Sequence, residues 1–478
     1  MPRERLVPLI VAVALFMENM DATVIATSLP AIAADLGESP IALKLALTSY
    51  LLSLAVFIPA SGWTADRFGA RTVFRLAIAV FTVGSVACGF ADSLAGLVAA
   101  RVLQGMGGAM MTPVGRLLLV RSVDKSALVN AMAWLTVPAL IGPMVGPPLG
   151  GWITTAFAWQ WVFWINVPIG LIGIVLVTRY IEDVREPSPG PFDTTGFLLS
   201  GVGVAGLAFG LSVAGLEVLS LAATAAILVA GLAAAVLYVR HSRRTPQPIL
   251  DLSLLAIATF RASFVGGFLV RVGVGALPFL LPLMLQLGFG LSPLQSGLIT
   301  FAAAVGALSM KTVAGPILRR FGYRTVLTVN ALLCAGSVAV CALFEAATPY
   351  WVVVGLLVAG GFVRSLQFTS INTIAFADIE RARMSAATSL SSVGQQVSLS
   401  SGVAIGALVL ETLLRLRGDT VLRVEDFHAA FLAVSLVTAA AALVFFRLTP
   451  DAGAALTART AEDRAEIEIS KSSEPGSR

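Results

Sequence analysis

The chain has 478 residues, a formal net charge of +5 and a mean hydropathy of +0.89. Charged residues make up 12% of the chain, about half of the ~25% that is usual for globular proteins, whereas the hydrophobic set reaches 57%. Too little polar surface is present for a string of water-soluble domains. Apolar runs recur along the chain, and each is about 20 residues long, enough to cross a ~30 Å hydrocarbon layer as a helix.

These apolar runs predict an all-α, polytopic membrane protein with about fourteen transmembrane helices. Lipid offers no partners to the backbone and the runs lack the two-residue alternation of a barrel, so each span should be a helix. An even number of spans puts both ends of the chain on one side. The predicted spans lie near residues 7–30, 42–65, 72–91, 94–119, 127–153, 160–180, 194–214, 218–239, 262–286, 294–318, 323–344, 350–376, 385–413 and 429–447.

The basic residues indicate which side that is. They fall mainly in alternate connections between the spans, as at Arg67, Arg71, Arg244 and Arg320. Because positive residues concentrate in cytoplasmic loops, we expect a multi-pass protein of the inner membrane with both termini in the cytoplasm. The same distribution accounts for the net positive charge through topology and the lipid bilayer, so no nucleic-acid partner is expected. We also expect a monomer.

An internal repeat divides the chain. Residues 67–73 read RFGARTV and residues 320–326 read RFGYRTV, an offset of 253 positions. The same offset relates Gly37 to Gly290, and Ser39-Pro40 to Ser292-Pro293. So many ungapped matches predict two homologous halves.

The repeat defines the expected domains. We predict two pseudo-symmetric six-helix bundles at 1–181 and 259–447, with an inserted helix pair in the linker at 182–258. The polar residues 448–478 should form a disordered cytoplasmic tail. Parallel repeats of this kind predict two bundles that rock about a central site near the middle of the membrane.

Three motifs stand in order in the first half. The loop after the second predicted span reads GWTADRFGAR over residues 62–71, the fourth span RVLQGMGG over 101–108, and the fifth span GPMVGPPLGG over 142–151. Together they resemble the signatures of the major facilitator superfamily, and the third resembles the motif that is typical of its antiporters. The resemblance implies a transporter with two six-helix bundles around a central cavity.

Further segments narrow the resemblance. Residues 21–30, DATVIATSLP, and 161–170, WVFWINVPIG, resemble the fourteen-helix drug:proton antiporter branch, and residues 109–116, AMMTPVGR, resemble its MdtD-like group of multidrug exporters. The likeness extends over about residues 1–447. One departure concerns the second copy of the loop motif, where Arg319 stands at the position of Asp66, so a charge relay in that copy is degenerate.

Two carboxylates of the first helix are candidates for proton coupling. Glu18 and Asp21 are three residues apart, so they share roughly one helix face, and they lie about 12 and 15 residues into the span. A charge near the middle of a membrane costs at least ~2.5 kcal/mol, so it indicates function by default. The alternative is a structural ion pair. Asp21 matches the family motif, and we expect it to carry the proton; Glu18 could also contact substrate.

Two arginines occupy corresponding depths in the second half. Adding the repeat offset to Glu18 leads to Arg271, and Arg364 lies midway through the twelfth predicted span. In the fold that the resemblance implies, these residues could meet Glu18 and Asp21 in the central cavity. The arginines would then either bind an anionic substrate through their planar forks or neutralise the carboxylates.

The motif residues receive roles by resemblance. Arg101 influences proton transfer, with helix-to-helix hydrogen bonding as the alternative, and its neighbour Gln104 is a candidate substrate ligand. The loop motif suggests a conformational latch, formed by Gly62, Asp66, Arg67, Gly69 and Arg71. The fifth-span motif suggests a hinge that seals the two halves of antiporters, formed by Gly142, Pro143, Gly146, Pro147, Gly150 and Gly151.

The energy source follows from what the chain lacks. Lysine occurs only at positions 44, 125, 311 and 471, and none follows a glycine, so no P-loop is present. An ion gradient is therefore the expected driver, with no cofactor, no metal and no enzymatic activity. We predict a proton-coupled exporter of small organic compounds; the alternative is export of an organic anion, such as a di- or tricarboxylate or a carboxylate siderophore, through Arg271 and Arg364.

Overall fold

The computed structural model describes residues 3–122, 128–182, 190–213 and 219–457. Within these ranges the secondary structure is helical, and thirteen helical segments are long and apolar enough to cross a membrane. The fourteenth expected span, near 127–153, coincides with a further helix, Leu128–Ala156. The all-α membrane architecture is therefore confirmed. Most of the expected tail, residues 458–478, lies outside the described residues.

The first half contains six spanning segments. Its second span is α3 continued through a 3-10 turn at Ile58–Ala60 into α4, and its sixth is α8 with α9. The helices are α1 (Arg3–Val24), α2 (Leu29–Leu36), α3 (Lys44–Phe57), α4 (Ser61–Phe68), α5 (Ala70–Gly89), α6 (Leu94–Ser122), α7 (Leu128–Ala156), α8 (Trp161–Trp164) and α9 (Asn166–Tyr180).

Two spans are inserted before the second half begins. The inserted pair consists of α10 (Thr194–Val213) and α11 (Leu221–Ser242), which pack against each other. The second half again has six spans and ends in a short surface helix. Its helices are α12 (Ala258–Leu283), α13 (Pro293–Met310), α14 (Ala314–Ala339), α15 (Tyr350–Ile374), α16 (Met384–Arg417), α17 (Val424–Phe446) and α18 (Ala454–Thr457).

The repeat is visible in the backbone. Gly37 and Gly69 have φ values of 66° and 92°, and their counterparts at the offset of 253, Gly290 and Gly322, have 70° and 71°. Positive φ strains any residue that carries a Cβ, so glycine is needed at all four turns. Gly322 lies within α14, which is interrupted there by its non-helical backbone. Both halves therefore turn their chain at the same places by the same means.

The two halves meet through two pairs of helices, each with one helix from either half. α7 of the first half packs along α13 of the second, and α3 of the first along α16 of the second. By the repeat, α3 corresponds to α13 and α7 to α16, so the two contacts are related by the pseudo-twofold axis. The inserted pair lies beside the α3–α16 contact, because α10 packs against both of those helices.

The α7–α13 contact is close on the side opposite the chain termini. A Cβ at Gly151 would lie 2.3 Å from the carbonyl oxygen of Pro293, and a Cβ at Gly297 would lie 2.3 Å from that of Pro147. Missing side chains thus let the two backbones touch. On the same side the Gln286 amide donates to the carbonyl of Thr27 at 3.0 Å, which joins the halves further.

Polar contacts attach both ends of the inserted pair. The indole of Trp63 in the first half donates to the carbonyl of Gly190 at 2.7 Å. At the other end, Arg383 in the second half donates to Asp251 at 2.6 Å. Burial alone would raise the pKa of Asp251, but the hydrogen bonds from Ser253 and Arg383 hold it below its usual value. The inserted pair is therefore anchored to each half on the terminal side.

Candidate functional site

A central cavity of about 690 Å³ lies between the two halves. Its walls come from the terminal-side portions of α6, α15 and α16 and the middle of α1, whereas the opposite side is closed by the α7–α13 contact. The cavity thus opens toward the side that the basic residues predict to be cytoplasmic. It is lined by Leu15, Glu18, Asn19, Ile58, Gly108, Ala109, Thr112, Pro113, Arg116, Phe368, Asn372, Phe376, Thr388, Ser391, Ser392, Gln395 and Gln396.

Glu18 is the carboxylate of the cavity wall. Its Oε2 accepts a hydrogen bond of 2.8 Å from the hydroxyl of Thr112. No cation lies within ion-pair distance of Glu18 among the described residues, although Arg116 lines the same cavity. A carboxylate held by one hydroxyl beside a solvent-accessible space can take up a proton or contact a substrate.

Asp21 occupies a different environment, in the sealed interior of the first bundle. Its side chain is 0% exposed, and its Oδ2 lies 2.5 Å from Nη1 of Arg101. Its Oδ1 accepts hydrogen bonds from the amides of Gln104, at 2.8 Å, and Asn166, at 2.7 Å. Three donors therefore satisfy this buried charge.

Arg101 is fixed from several sides. Its Nε donates to the carbonyl of Ala46 at 3.1 Å, and its guanidinium lies 4.2 Å from the centre of the Tyr50 ring. Gln104 also accepts from Arg101 at 2.6 Å and donates to the hydroxyl of Ser85 at 2.7 Å. The Asp21 network thus ties together α1, α3, α5, α6 and α9. Gln104 is 0% exposed and belongs to this network, away from the cavity wall.

A family model for the Major Facilitator Superfamily matches residues 11–262 and 263–473. The chain belongs to the major facilitator superfamily. A relative from Citrobacter koseri, named “Putative multidrug resistance protein MdtD”, is 38% identical over 92% of this chain and 94% of its own. The resemblance seen in the motifs, including that to the MdtD-like group, is confirmed, and the chain is a transporter of this family.

Solved structures of superfamily members share the fold. A D-xylose-proton symporter has a TM-score of 0.67 at 13% identity, over 94% of this chain and 98% of its own. A bacterial homologue of the human lysosomal transporter Spinster, in an inward-facing and unoccupied conformation, has a TM-score of 0.62 at 17% identity, over 93% of this chain and 96% of its own.

The structure does not bring together the four charged residues that were predicted to meet in the central cavity, namely Glu18, Asp21, Arg271 and Arg364. Glu18 and Asp21 are separated by about 60° around the helix, because each residue advances ~100°. That angle is enough for Glu18 to border the cavity while Asp21 enters the first bundle. Neither Arg271 nor Arg364 forms an ion pair with them in the described part of the chain. The expected meeting of these four residues is therefore not observed.

Arg271 lies directly behind the cavity wall. Its Nη2 donates to Asn372 Oδ1 at 2.9 Å, its guanidinium lies 5.5 Å from the ring of Phe368, and both of those residues line the cavity. The side chain is 4% exposed, and its Nε has no hydrogen-bond partner among the described residues. An incompletely satisfied cation thus stands one residue away from the cavity.

Arg364 sits deeper in the second bundle, between α15 and α14. Its Nη1 folds back over Gly360 and donates to the hydroxyl of Ser337 at 3.3 Å. Within the described ranges it has no carboxylate partner and does not line the cavity. A direct contact between Arg364 and a substrate would require the wall to rearrange.

The antiporter motif on α7 faces two neighbours. A Cβ at Gly146 would lie 2.0 Å from Thr23 Oγ1, and one at Gly150 would lie 2.1 Å from the carbonyl oxygen of Val24, so these glycines, with Gly142, set the contact with α1. Gly151 and Pro147 instead face α13 of the other half. α7 continues as one helix through Pro143 and the later prolines.

The loop motif forms the turn between α4 and α5. Gly69, with φ of 92°, ends α4 by donating its N–H to the carbonyl of Ala65 at 3.0 Å. Asp66 and Arg71 are half-buried and Arg67 is exposed at this turn. Gly62 is exposed, and a Cβ there would meet nothing within 4 Å, so this glycine of the motif makes no close helix contact.

Sequence reasoning missed a polar face on α16. Five hydroxyl and amide side chains border the cavity at helical spacing, namely Thr388, Ser391, Ser392, Gln395 and Gln396. Their signal was present in the sequence, because polar residues at such spacing inside an otherwise apolar span indicate a face turned from lipid. Asn166 was also missed as a partner of Asp21, although it stands in the 161–170 motif.

Proposed function

We propose that this protein is a proton-coupled secondary exporter that moves small organic compounds out of the cytoplasm by alternating access. The observation that carries the proposal is that two carboxylates of α1 have different environments. Glu18 borders the cavity, whereas Asp21, about one turn away, is buried in an ion pair with Arg101. A cavity carboxylate exchanges protons with solvent, whereas a sealed ion pair changes only when the bundle rearranges. The name of the Citrobacter relative, which refers to multidrug resistance, supports small organic compounds as cargo.

The transport cycle follows from these two environments. In the state described, substrate enters the cavity from the cytoplasm, where both termini lie in this proposal. After the halves rock, the cavity faces the opposite side and a proton from there reaches Asp21. Protonation removes the charge that holds Arg101, and substrate leaves. Return to the first state releases the proton to the cytoplasm and restores the pair.

Removing the charge of Asp21 should separate exchange from uphill transport. Asp21→Asn keeps the shape of the side chain and cannot release a proton, so we expect at least a tenfold loss of substrate accumulation driven by a pH gradient. Exchange of labelled for unlabelled substrate without a gradient should persist. Both are measured in proteoliposomes with a fluorescent lipophilic cation as the first probe.

A matched control uses Asp92→Asn, which neutralises an exposed carboxylate in the α5–α6 connection. That variant should transport like the unchanged protein. Undiminished uphill transport by Asp21→Asn would remove Asp21 as the proton carrier. In that case Glu18→Gln, tested in parallel, decides whether the cavity carboxylate carries the proton instead.

A second candidate function is the export of an organic anion, such as a di- or tricarboxylate or a carboxylate siderophore. The observation that favours it is Arg271, whose guanidinium has no carboxylate partner among the described residues and contacts two residues of the cavity wall. Since the nearby oxygen of Asn372 accepts from the arginine, the amide NH₂ of Asn372 remains to donate to an anion. Arg364 would add a second positive charge in the same half.

The charge of the cargo can be tested in proteoliposomes by recording proton flux after addition of a tricarboxylate or, separately, a lipophilic cation. If the cargo is anionic, Arg271→Ala should reduce the flux with the tricarboxylate about tenfold or more, because charge-assisted contacts contribute ~1.5–3 kcal/mol. Arg320→Ala, an exposed arginine on α14, is the control. Flux with the cation alone would confine Arg271 to a structural role.

A further inference from the structure

Another cavity, separate from the central one, lies at the terminal-side end of the second half. It has a volume of about 370 Å³ and is formed by the beginning of α12, the end of α17 and the segment that follows α15. Arginines, threonines and one aspartate mix with apolar side chains in its wall. The lining residues are Ala258, Thr259, Arg261, Ala262, Val265, Asp378, Val444, Arg447, Leu448, Thr449 and Ala452.

Two exposed guanidinium groups dominate the charge of this cavity. Arg261 donates to the carbonyls of Leu255 and Ala256, at 3.2 and 3.4 Å, through Nη1 alone. Neither Arg261 nor Arg447 lies within 4 Å of a carboxylate oxygen in the described residues. Two arginines with donors to spare thus converge on one cavity, which makes it suitable for an oxyanion.

The surface beside the cavity is apolar. Val265 stands one turn above Arg261 on α12 and is 42% exposed, and Leu443 and Phe446 near the end of α17 are 70% and 63% exposed. Both helices are among those long and apolar enough to span a membrane. The cavity therefore lies at the level of the headgroups, with an apolar surface leading away from it toward the middle of the membrane.

We infer that this cavity binds the headgroup of an anionic phospholipid, with the phosphate between Arg261 and Arg447 and the acyl chains along Val265 and Phe446. Basic cavities between transmembrane helices on the cytoplasmic side recognise such headgroups. The guanidinium pair matches the phosphate oxygens in charge and geometry. The site is independent of the transport proposal, since none of its residues lines the central cavity.

Asp378 stands in the wall of the same cavity. Its Oδ2 accepts a hydrogen bond of 2.8 Å from Thr259. Phosphatidylglycerol carries the negative charge of its phosphate and no carboxylate, so it adds no second negative charge beside Asp378. Phosphatidylglycerol is therefore the probe of choice.

The inference can be tested by native mass spectrometry of the full-length protein in detergent, with added phosphatidylglycerol or phosphatidylcholine of equal chain length. We expect tighter binding of phosphatidylglycerol and about fivefold weaker binding for each arginine removed, as in Arg261→Gln and Arg447→Gln. Arg261→Lys, which keeps the charge but loses the planar fork, should bind phosphatidylglycerol more tightly than Arg261→Gln and less tightly than the unchanged protein. Arg320→Gln removes a charge at the same membrane level outside the cavity and should change nothing.

Several outcomes would overturn the inference. Equal binding of the two lipids, or equal loss in Arg320→Gln and Arg261→Gln, would show general attraction to the surface rather than a site. Displacement of phosphatidylglycerol by millimolar glycerol phosphate would assign the cavity to a free phosphate compound. Lipid binding that arises only after removal of residues 458–478, which include Glu462 and Asp463, would show that this C-terminal segment occupies the cavity in the intact chain.

Discussion

At the scale of single residues, glycine decides how close the helices of this transporter approach. Gly146 and Gly62 both belong to family motifs, yet they differ in surroundings. A Cβ at Gly146 would lie 2.0 Å from Thr23 Oγ1, whereas one at Gly62 would meet nothing within 4 Å. Glycine therefore allows a close helix contact at position 146, whereas at position 62 it borders open space.

Alanine at each position should reveal this difference. Gly146→Ala forces α1 and α7 apart, so we expect a loss of roughly 1–3 kcal/mol in stability, the usual effect of overpacking. Gly62→Ala should be neutral or stabilise by about 0.5–1 kcal/mol, because alanine favours the helix. Thermal unfolding in detergent, followed through tryptophan fluorescence, measures both. Equal midpoints for the two variants would contradict the assigned contact.

The candidate residues could be identified from the sequence, but their partners could not. Glu18 and Asp21 were identified because a charge inside an apolar span is costly unless something compensates it. Arg271 was identified through the repeat offset from Glu18, and Arg101 through its family motif. The compensation of Asp21 comes from α6 and α9, at positions distant in sequence. Glu18 and Asp21 lie about 60° apart around the helix. Their spacing gives this angle, but it does not show that one side chain borders the cavity while the other enters the bundle.

At the scale of helices, the polar face of α16 gives the second half its side of the cavity. Ser391, Gln395 and their neighbours present uncharged donors and acceptors opposite Glu18. Such groups orient a substrate by hydrogen bonds, while Phe368 and Phe376 supply apolar contact. The face is therefore expected to contribute to substrate selection more than to proton coupling.

Replacing the face with apolar side chains tests this role. Gln395→Leu is close in size and removes two hydrogen-bonding groups, so the apparent KM for a polar substrate should rise about tenfold or more. Proton leak without substrate should stay unchanged. Thr412→Leu is the control, since its exposed hydroxyl bonds only within α16, to Leu408. A KM that rises equally in both variants would contradict a specific role for the cavity face.

The helices themselves were predictable because a membrane span must be long, apolar and helical. The predicted spans agree with the thirteen described segments and with α7. The sequence could not predict the pairing of α7 with α13 and of α3 with α16. An apolar helix face has a similar composition whether it packs against another helix or against lipid. The glycines on α7 indicated a close helix contact. In the structure, some of them pack against α1 and Gly151 packs against α13.

At the scale of the whole molecule, a buried ion pair crosses the closed side between the halves. Nζ of Lys44 on α3 lies 3.6 Å from Oε2 of Glu411 on α16. Lys44 is 0% exposed, and neither atom has a hydrogen-bond partner among the described residues. Glu411 also lies 3.4 Å from Arg415, one turn along its own helix. Lys44 thus depends on Glu411 more than Glu411 depends on Lys44.

This asymmetry predicts how the two alternating-access states are balanced. Glu411→Leu leaves the charge of Lys44 buried and uncompensated, which typically costs about 3–5 kcal/mol and should favour opening of the closed side, where water reaches the lysine. Lys44→Met leaves Glu411 with Arg415 and should have a small effect. The double variant replaces a poorly bonded pair by apolar contact and should favour the closed side even more than the unchanged protein does.

Spin labels at positions 92 and 347, in the corresponding connections of the two halves, report on this equilibrium by their distance distribution. The long-distance population should grow in Glu411→Leu, because that variant opens the side where both labels lie. It should disappear again when Lys44→Met is added, since the buried charge is then gone. An unchanged distribution in Glu411→Leu, or growth that Lys44→Met fails to reverse, would contradict the pair as a determinant of the equilibrium. The reversal matters most, because a general loss of packing at α16 would persist in the double variant.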